Sequence, residues 1–211
     1  MKELTTQEFD ERLQKQVRQA RAALDKGGVD YVVQVCAEIL KGHPGAYEVR
    51  SLLWDALRTA FVGESTRSNW LQNKSKGMQF KMATRSLLKK DPLEMVHYCD
   101  GLLREKQVHP QLFVGLDAAA RLLEWPETRV MACQALVDLQ PDKSSSRLAL
   151  AENLIQVKRP QESIELLEWV LAREPSNSDA QTLLKNASVA ETLQRGNWED
   201  TGTTFHSKKH S

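Results

Sequence analysis

Prolines recur along this chain at one fixed interval. Pro92, Pro126 and Pro160 stand thirty-four residues apart, and Pro141 and Pro175 repeat the spacing. A proline at the first helical position gives up no hydrogen bond and has its φ already set for the first turn, so the first three open helices. A proline that follows an apolar run cannot continue it, so Pro141 and Pro175 close helices. Between these marks the apolar residues keep helical period. Ile164, Leu167, Val170 and Leu171 recur at steps of three and four, with Glu162, Glu165 and Glu168 on the other side. Leu116 with Leu150, Val130 with Ile164, and Leu136 with Val170 obey the same interval. A helix pair that repeats at this length must stack on its neighbours to bury its apolar face, so the expected fold is an all-α array, and no segment reads as a strand.

The stretch from Pro110 to Asn177 resembles the tetratricopeptide repeat. Counting back from Pro175, the family's apolar first-helix positions fall on Leu150 and Leu154, its small residue at the interhelical contact on Ser163, and its aromatic position on Leu167. The family's usual Trp, Gly and Tyr positions hold Arg147, Ala151 and Leu154, so the resemblance rests on period and proline placement. QARAALDKGGVDYVVQVCAEILKGHPG reads as a further unit, with a turn at Gly27 and Gly28 and Pro44 in the terminating place. The resemblance implies an all-α, tetratricopeptide-type helix-turn-helix solenoid, a right-handed superhelix with a C-terminal capping helix. The closing residues are similar to the ends of bacterial tetratricopeptide proteins.

Helices are expected near 6–26, 29–42, 46–62, 78–90, 92–107, 110–124, 126–140, 144–158, 160–173 and 178–194. They divide the chain into N-terminal helices (6–62), a polar basic linker or long loop (63–77), repeats with a cap helix (78–195) and a mostly disordered tail (196–211). Gly196 is expected to end the last helix, and Trp198 to fold back on it. Trp54 and Trp169, on amphipathic helices, are expected in the core, and Trp125 at a helix end.

Cys36 and Cys133 each lie eight residues before a terminating proline, and Cys99 lies thirty-four before Cys133. All three therefore fill one repeated slot, which Leu167 fills in the last unit. A slot shared by Leu and Cys is a buried apolar position, where a thiol acts as a small hydrophobe. Spaced by whole repeats, the three suit neither a disulfide nor a metal site, and an odd number of such thiols fits a reducing compartment. The polar N-terminus lacks the apolar centre of a signal peptide, and no apolar run approaches the ~20 residues of a membrane span. The expected location is the cytoplasm, with no membrane insertion.

No glycine-rich phosphate loop, nucleophile elbow or supported carboxylate pair is present. The histidines lie in turns (His43, His109), on a helix (His97) or in the tail (His206, His210), without ligand spacing on one helix face. A non-enzymatic protein is expected, with no cofactor, metal or catalytic residue.

Solenoids of this kind bind through a concave surface lined by the first helix of each pair. The resemblance places Phe80, Thr84, Leu87 and Leu88, then Val114, Ala118, Arg121 and Leu122, then Leu148, Glu152, Ile155 and Gln156 on that surface. Each either meets a protein partner or packs between repeats. The family's carboxylate-gripping places carry Val114, Ala118, Ser145, Leu148, Ala149 and Glu152, so that clamp is not expected. A second candidate surface is charge. Arg58, Arg67, Lys74, Lys76, Lys81, Arg85, Lys89 and Lys90 face the single acid Glu64, giving this segment +7 in a chain of +1 and leaving −6 elsewhere. Such a segment is a solvated linker and helix face, or a patch that attracts an acidic protein or a nucleic acid, with Trp70 placed to stack or anchor. The leading expectation is a scaffold or adaptor for one or more proteins, the alternative a nucleic-acid-associated adaptor.

Overall fold

A computed structural model describes residues 1–62 and 74–203. Among them lie ten α-helices and no strand, apart from an isolated parallel bridge between Leu4 and Ala46. The helices are α1 (Glu11–Leu24), α2 (Val29–Gly42), α3 (Tyr47–Val62), α4 (Lys74–Lys90), α5 (Pro92–Arg104), α6 (Pro110–Leu122), α7 (Pro126–Leu139), α8 (Ser144–Gln156), α9 (Pro160–Arg173) and α10 (Ser178–Thr203). They form two compact units, Met1–Pro141 and Asp142–Ser211.

Pro92, Pro126 and Pro160 sit in the first turns of α5, α7 and α9, and Pro110 does the same for α6. Other starts are fixed by side chains. The Asp10 carboxylate accepts from Leu13 N at 2.8 Å and that of Asp91 from Leu93 N at 2.9 Å, satisfying amide donors that the first turn leaves open. The expected helix 6–26 is therefore broken: a short 3-10 turn at Thr6–Glu8 precedes α1, whose start Asp10 sets.

Four helix ends share one closure. After α1, α5, α6 and α8 the chain passes through a left-handed residue, Gly27, Lys106, Glu124 and Lys158 in turn, with φ of 78°, 56°, 59° and 61°. In each case that residue and the next return their amides to the helix, as when Glu124 N donates to Arg121 O and Trp125 N to Ala120 O. Only Gly27 adopts this conformation without a Cβ penalty. Glu124→Gly and Lys158→Gly should each raise stability by about 0.5–1 kcal/mol. A urea midpoint that stays put or falls for both would contradict this.

In the first unit α1, α2 and α3 pack in succession, as do α4, α5, α6 and α7, and α4 also meets α6. Longer-range contacts join the two ends of the unit: α2 and α3 pack on α5, and α3 packs on α7. At the first of these seams, buried Arg50 on α3 grips Asp100 on α5, with Nε to Oδ1 and Nη2 to Oδ2 both at 2.8 Å. At the second, Trp54 Nε1 donates to Asp138 at 2.9 Å, and the indole stands edge-on to Phe113 at 4.8 Å. The N-terminal arm is bound as well. Leu4 N donates to Gly45 O at 2.8 Å, and Gly45 permits the approach, since a Cβ there would lie 2.4 Å from Lys2 O.

The division expected at 63–77 is thus not where the chain separates. The N-terminal helices share a core with α5 to α7, and the boundary follows Pro141. Of the linker, Lys74 to Gly77 belong to α4, and residues 63–73, with Arg67 and Trp70, lie outside the described residues.

In the second unit α8, α9 and α10 pack each on the other two around Ala151, Leu167, Val170, Ala180 and Ala187. Ser163, at the expected small-residue place, is fully buried and donates to Ala151 O at 2.9 Å. Gly196 does not end the last helix, which continues to Thr203; the placement of Trp198 and of residues 204–211 lies outside what is described. The three cysteines are buried and not disulfide-bonded. Burial pushes the Cys36 thiol up to about 12 and that of Cys99 well above its usual value, which keeps both protonated and unreactive.

Candidate partner-binding face

The candidate residues of the first unit lie mainly on α4 and α6, which pack against each other. On α4, Phe80, Thr84, Leu87 and Leu88 turn inward as far as they can. Phe80 is buried at 6% exposure and lies 5.2 Å from the His109 ring, so it belongs to the core rather than to a partner surface. The opposite side of the same helix carries Met78, Lys81, Met82, Arg85 and Lys89, all exposed, recurring at three- and four-residue steps. The methionines are 64% and 68% exposed.

Helix α6 contributes the second row. Val114 is 43% exposed and Leu122 59%, Arg121 is exposed between them, and Ala118 is half-buried. Helices α4 and α6 meet closely where Gly115 faces Thr84: a Cβ at Gly115 would lie 2.8 Å from Thr84 Oγ1. Lys81 and Leu88 lie one turn either side of Thr84, and Gln111, Ala118 and Leu122 lie one or two turns from Gly115. Each row mixes exposed apolar side chains with cations. No acid occurs on α4, and the only acid on α6, Asp117, is engaged by Arg129 Nε at 3.0 Å.

The remaining basic residues are placed differently. Arg58 lies on α3, 3.5 Å from Asp55 and 3.9 Å from Asp138, and Lys90 pairs with Glu94 at 2.6 Å. Lys74 and Lys76 open α4, their side chains outside the described set. Of the expected patch, Lys81, Arg85 and Lys89 therefore form the described cationic row. Leu148, Glu152 and Gln156 are on α8 in the second unit, with Leu148 half-buried and the other two exposed.

His109 holds the base of the face. It caps α6, its Nδ1 accepting from Gln111 N at 3.0 Å, and its ring lies against Phe80 and beside Gly77 of α4. Only the unprotonated Nδ1 can accept that bond, and burial lowers the imidazole pKa below its usual 6.5. The folded pKa is thus below the unfolded one, so this contribution is complete above pH 6.5 and lost as pH falls through the folded value. His109→Asn keeps a capping acceptor without the titration. Its unfolding midpoint should depend less on pH below 6.5 than that of the wild type; identical slopes would exclude His109 as the source.

Two other features were not foreseen. Trp169, expected in the core of α9, is half-buried, and the guanidiniums of Arg147 and Arg173 stack on it at 3.8 and 3.7 Å. Burial first, and then Arg173, lower the Arg147 pKa. Shallow hollows along α2 are lined by mixed side chains such as Asp10, Tyr31, Glu38 and His43, or Asp30, Arg104 and Lys106. Among the described residues no group of three or more His, Cys, Asp or Glu is arranged to hold a metal ion, and no helix is long and apolar enough to cross a membrane.

In comparisons with known proteins, no family model matches the chain, and no curated protein and no solved structure matches it. The methionines at 78 and 82 are what the sequence reading overlooked. Their signal was present, because Met78 sits one helical turn from Lys81 and Met82 one turn from Arg85, both opposite the Phe80, Thr84 and Leu87 side.

Proposed function

We propose that this protein is a non-enzymatic interaction scaffold of the tetratricopeptide type, which captures a segment of a protein partner. The thirty-four residue proline interval and the packing of helix pairs on their neighbours support the family reading. The observation that carries the function is the pair of exposed rows on the adjoining helices α4 and α6, with Met78 and Met82 beside Lys81, Arg85 and Lys89 on one and Val114 and Leu122 beside Arg121 on the other. Folding alone gives no reason to leave four large apolar side chains in water on two adjoining helices, whereas a partner that covers them gains from their burial. The cations orient that partner and speed its encounter.

The test is affinity capture from native lysate, with and without nuclease, using the wild type and Val114→Glu with Leu122→Glu. Both positions are exposed, so circular dichroism should show unchanged helicity. The expected result is a small set of proteins retained after nuclease treatment and reduced about tenfold by the double substitution. Undiminished capture by the variant would remove the face from the function. Loss of every partner on nuclease treatment would replace the scaffold with a nucleic-acid-associated adaptor acting through the basic residues.

A further inference from the structure

We propose that the Trp169 stack of the second unit is a phosphate-binding site, where Arg147 and Arg173 grip one phosphate monoester at the rim of the indole. It is independent of the α4 and α6 rows, and all its residues belong to one compact unit. Arg147 stands in the first turn of α8, and Trp169 and Arg173 lie one turn apart on α9. The two guanidinium carbons sit 3.8 and 3.7 Å from the ring centroid. Two guanidiniums do not fit side by side over one indole, so each takes a face, and only the ring separates the two charges.

Two features distinguish this stack from a packing contact. First, neither guanidinium makes a hydrogen bond or an ion pair with a described residue. Glu174, next in sequence to Arg173, is held by the Ser144 hydroxyl and by Asn177. Asp142 attracts Arg147 without pairing with it. Second, the placement costs electrostatic energy. Like charges face each other across the ring, and Arg147 occupies the end of α8 where the helix dipole disfavours a cation. Its Nε is buried without a partner, and burial with Arg173 lowers its pKa more than Asp142 raises it. One arginine would cover the indole without these costs. An anion that meets both offsets them.

The chemistry of that anion follows from count and shape. Two guanidiniums carry two charges, which a phosphate monoester matches at neutral pH and a carboxylate or a phosphodiester does not. A tetrahedral phosphate at the rim of the half-buried indole presents oxygens to both sides of the ring plane, so one group accepts from both forks.

The test titrates the full-length protein, at constant ionic strength, with inorganic phosphate and with a short phosphoserine peptide of otherwise Ala and Gly. Tryptophan emission and the phosphorus NMR signal report binding. Saturable binding is expected with a Kd of about 1 mM or below, about tenfold tighter than for acetate or the unphosphorylated peptide. Trp169→Phe should remove the emission change. Arg173→Gln, at an exposed position, should weaken binding about tenfold with helicity unchanged. Arg147→Lys with Arg173→Lys, which keeps the charge and loses the forks, should weaken it several-fold. A phosphopeptide that binds tighter than inorganic phosphate identifies a phosphorylated protein segment as the source; the reverse order identifies a free small phosphate. Absence of saturable binding, equal affinity for acetate, or unchanged affinity in Arg173→Gln would overturn the site. Tighter binding of a single-stranded oligonucleotide than of either monoester would overturn the dianion assignment. Lysate capture through Val114 and Leu122 tests another surface, so failure of one reading leaves the other standing.

Discussion

Asp100→Ala is expected to destabilise the first unit by about 3–5 kcal/mol, the typical cost of stranding a buried ion. Arg50 is fully buried, and besides its two bonds to Asp100 its Nη2 donates to Pro44 O at 2.6 Å, while Nη1 has no partner. Burial opposes the guanidinium's charge, and the adjacent Asp100 carboxylate more than offsets that, leaving the Arg50 pKa raised. Without the carboxylate, a positive charge stays inside the α3–α5 seam with nothing opposite it. The pair itself need not be strongly stabilising, because both ions lost their water to form it. Arg50→Met combined with Asp100→Leu should therefore recover most of the loss, to within about 1–2 kcal/mol of the wild type. Urea unfolding of the three variants checks both statements. A cost under about 1 kcal/mol for Asp100→Ala would mean that water reaches the guanidinium and the seam is looser than the geometry implies.

Trp125→Ala should cost a similar amount, about 3–5 kcal/mol, for a different reason. The indole is 1% exposed and is among the largest fully buried side chains of the protein, so truncation leaves a cavity. It also anchors the N-terminal arm. Trp125 Nε1 donates to Met1 O at 3.0 Å, and two residues further on the arm's Glu3 carboxylate accepts from Glu127 N at 3.0 Å and Thr128 N at 2.6 Å. Those amides are open donors at the start of α7, where the helix dipole also favours an anion. Trp125→Phe separates the two contributions: it loses the N–H bond but keeps most of the volume, for a cost of about 1 kcal/mol. Hydrogen exchange at the Leu4 amide, bonded to Gly45 O, should quicken markedly in Trp125→Ala and modestly in Trp125→Phe. Unchanged protection in both would show that the arm is held without Trp125.

Both predictions concern contacts that join distant parts of the chain, and this is where sequence reading stopped. Local order was legible. The prolines and helical period place α2 at 29–42 and α9 at 160–173, which are the observed bounds, and put α7 within one residue of Pro126–Leu139. These elements were readable because proline geometry and side-chain period act within one or two turns. Failures of local reading have local causes. Asp10 competes as an N-cap and delays α1, and Gly196, which costs a helix only about 1 kcal/mol, does not suffice to stop α10. The candidate face was legible in pieces. Lys81, Arg85 and Lys89 stood out by charge and Val114, Ala118 and Arg121 by repeat position, but nothing in either signal joined them.

By itself, then, the sequence determined that the chain is helical, where most helices begin and end, and that the three cysteines fill buried slots. The tertiary structure alone decided that α2 and α3 close on α5 and α3 on α7, that Arg50 meets Asp100 across fifty residues, that Phe80 turns into the core, and that Thr84 of α4 meets Gly115 of α6. The physical reason is that a helix's period fixes which of its faces is apolar, whereas the face it meets is chosen by shape and charge complementarity among all the faces available.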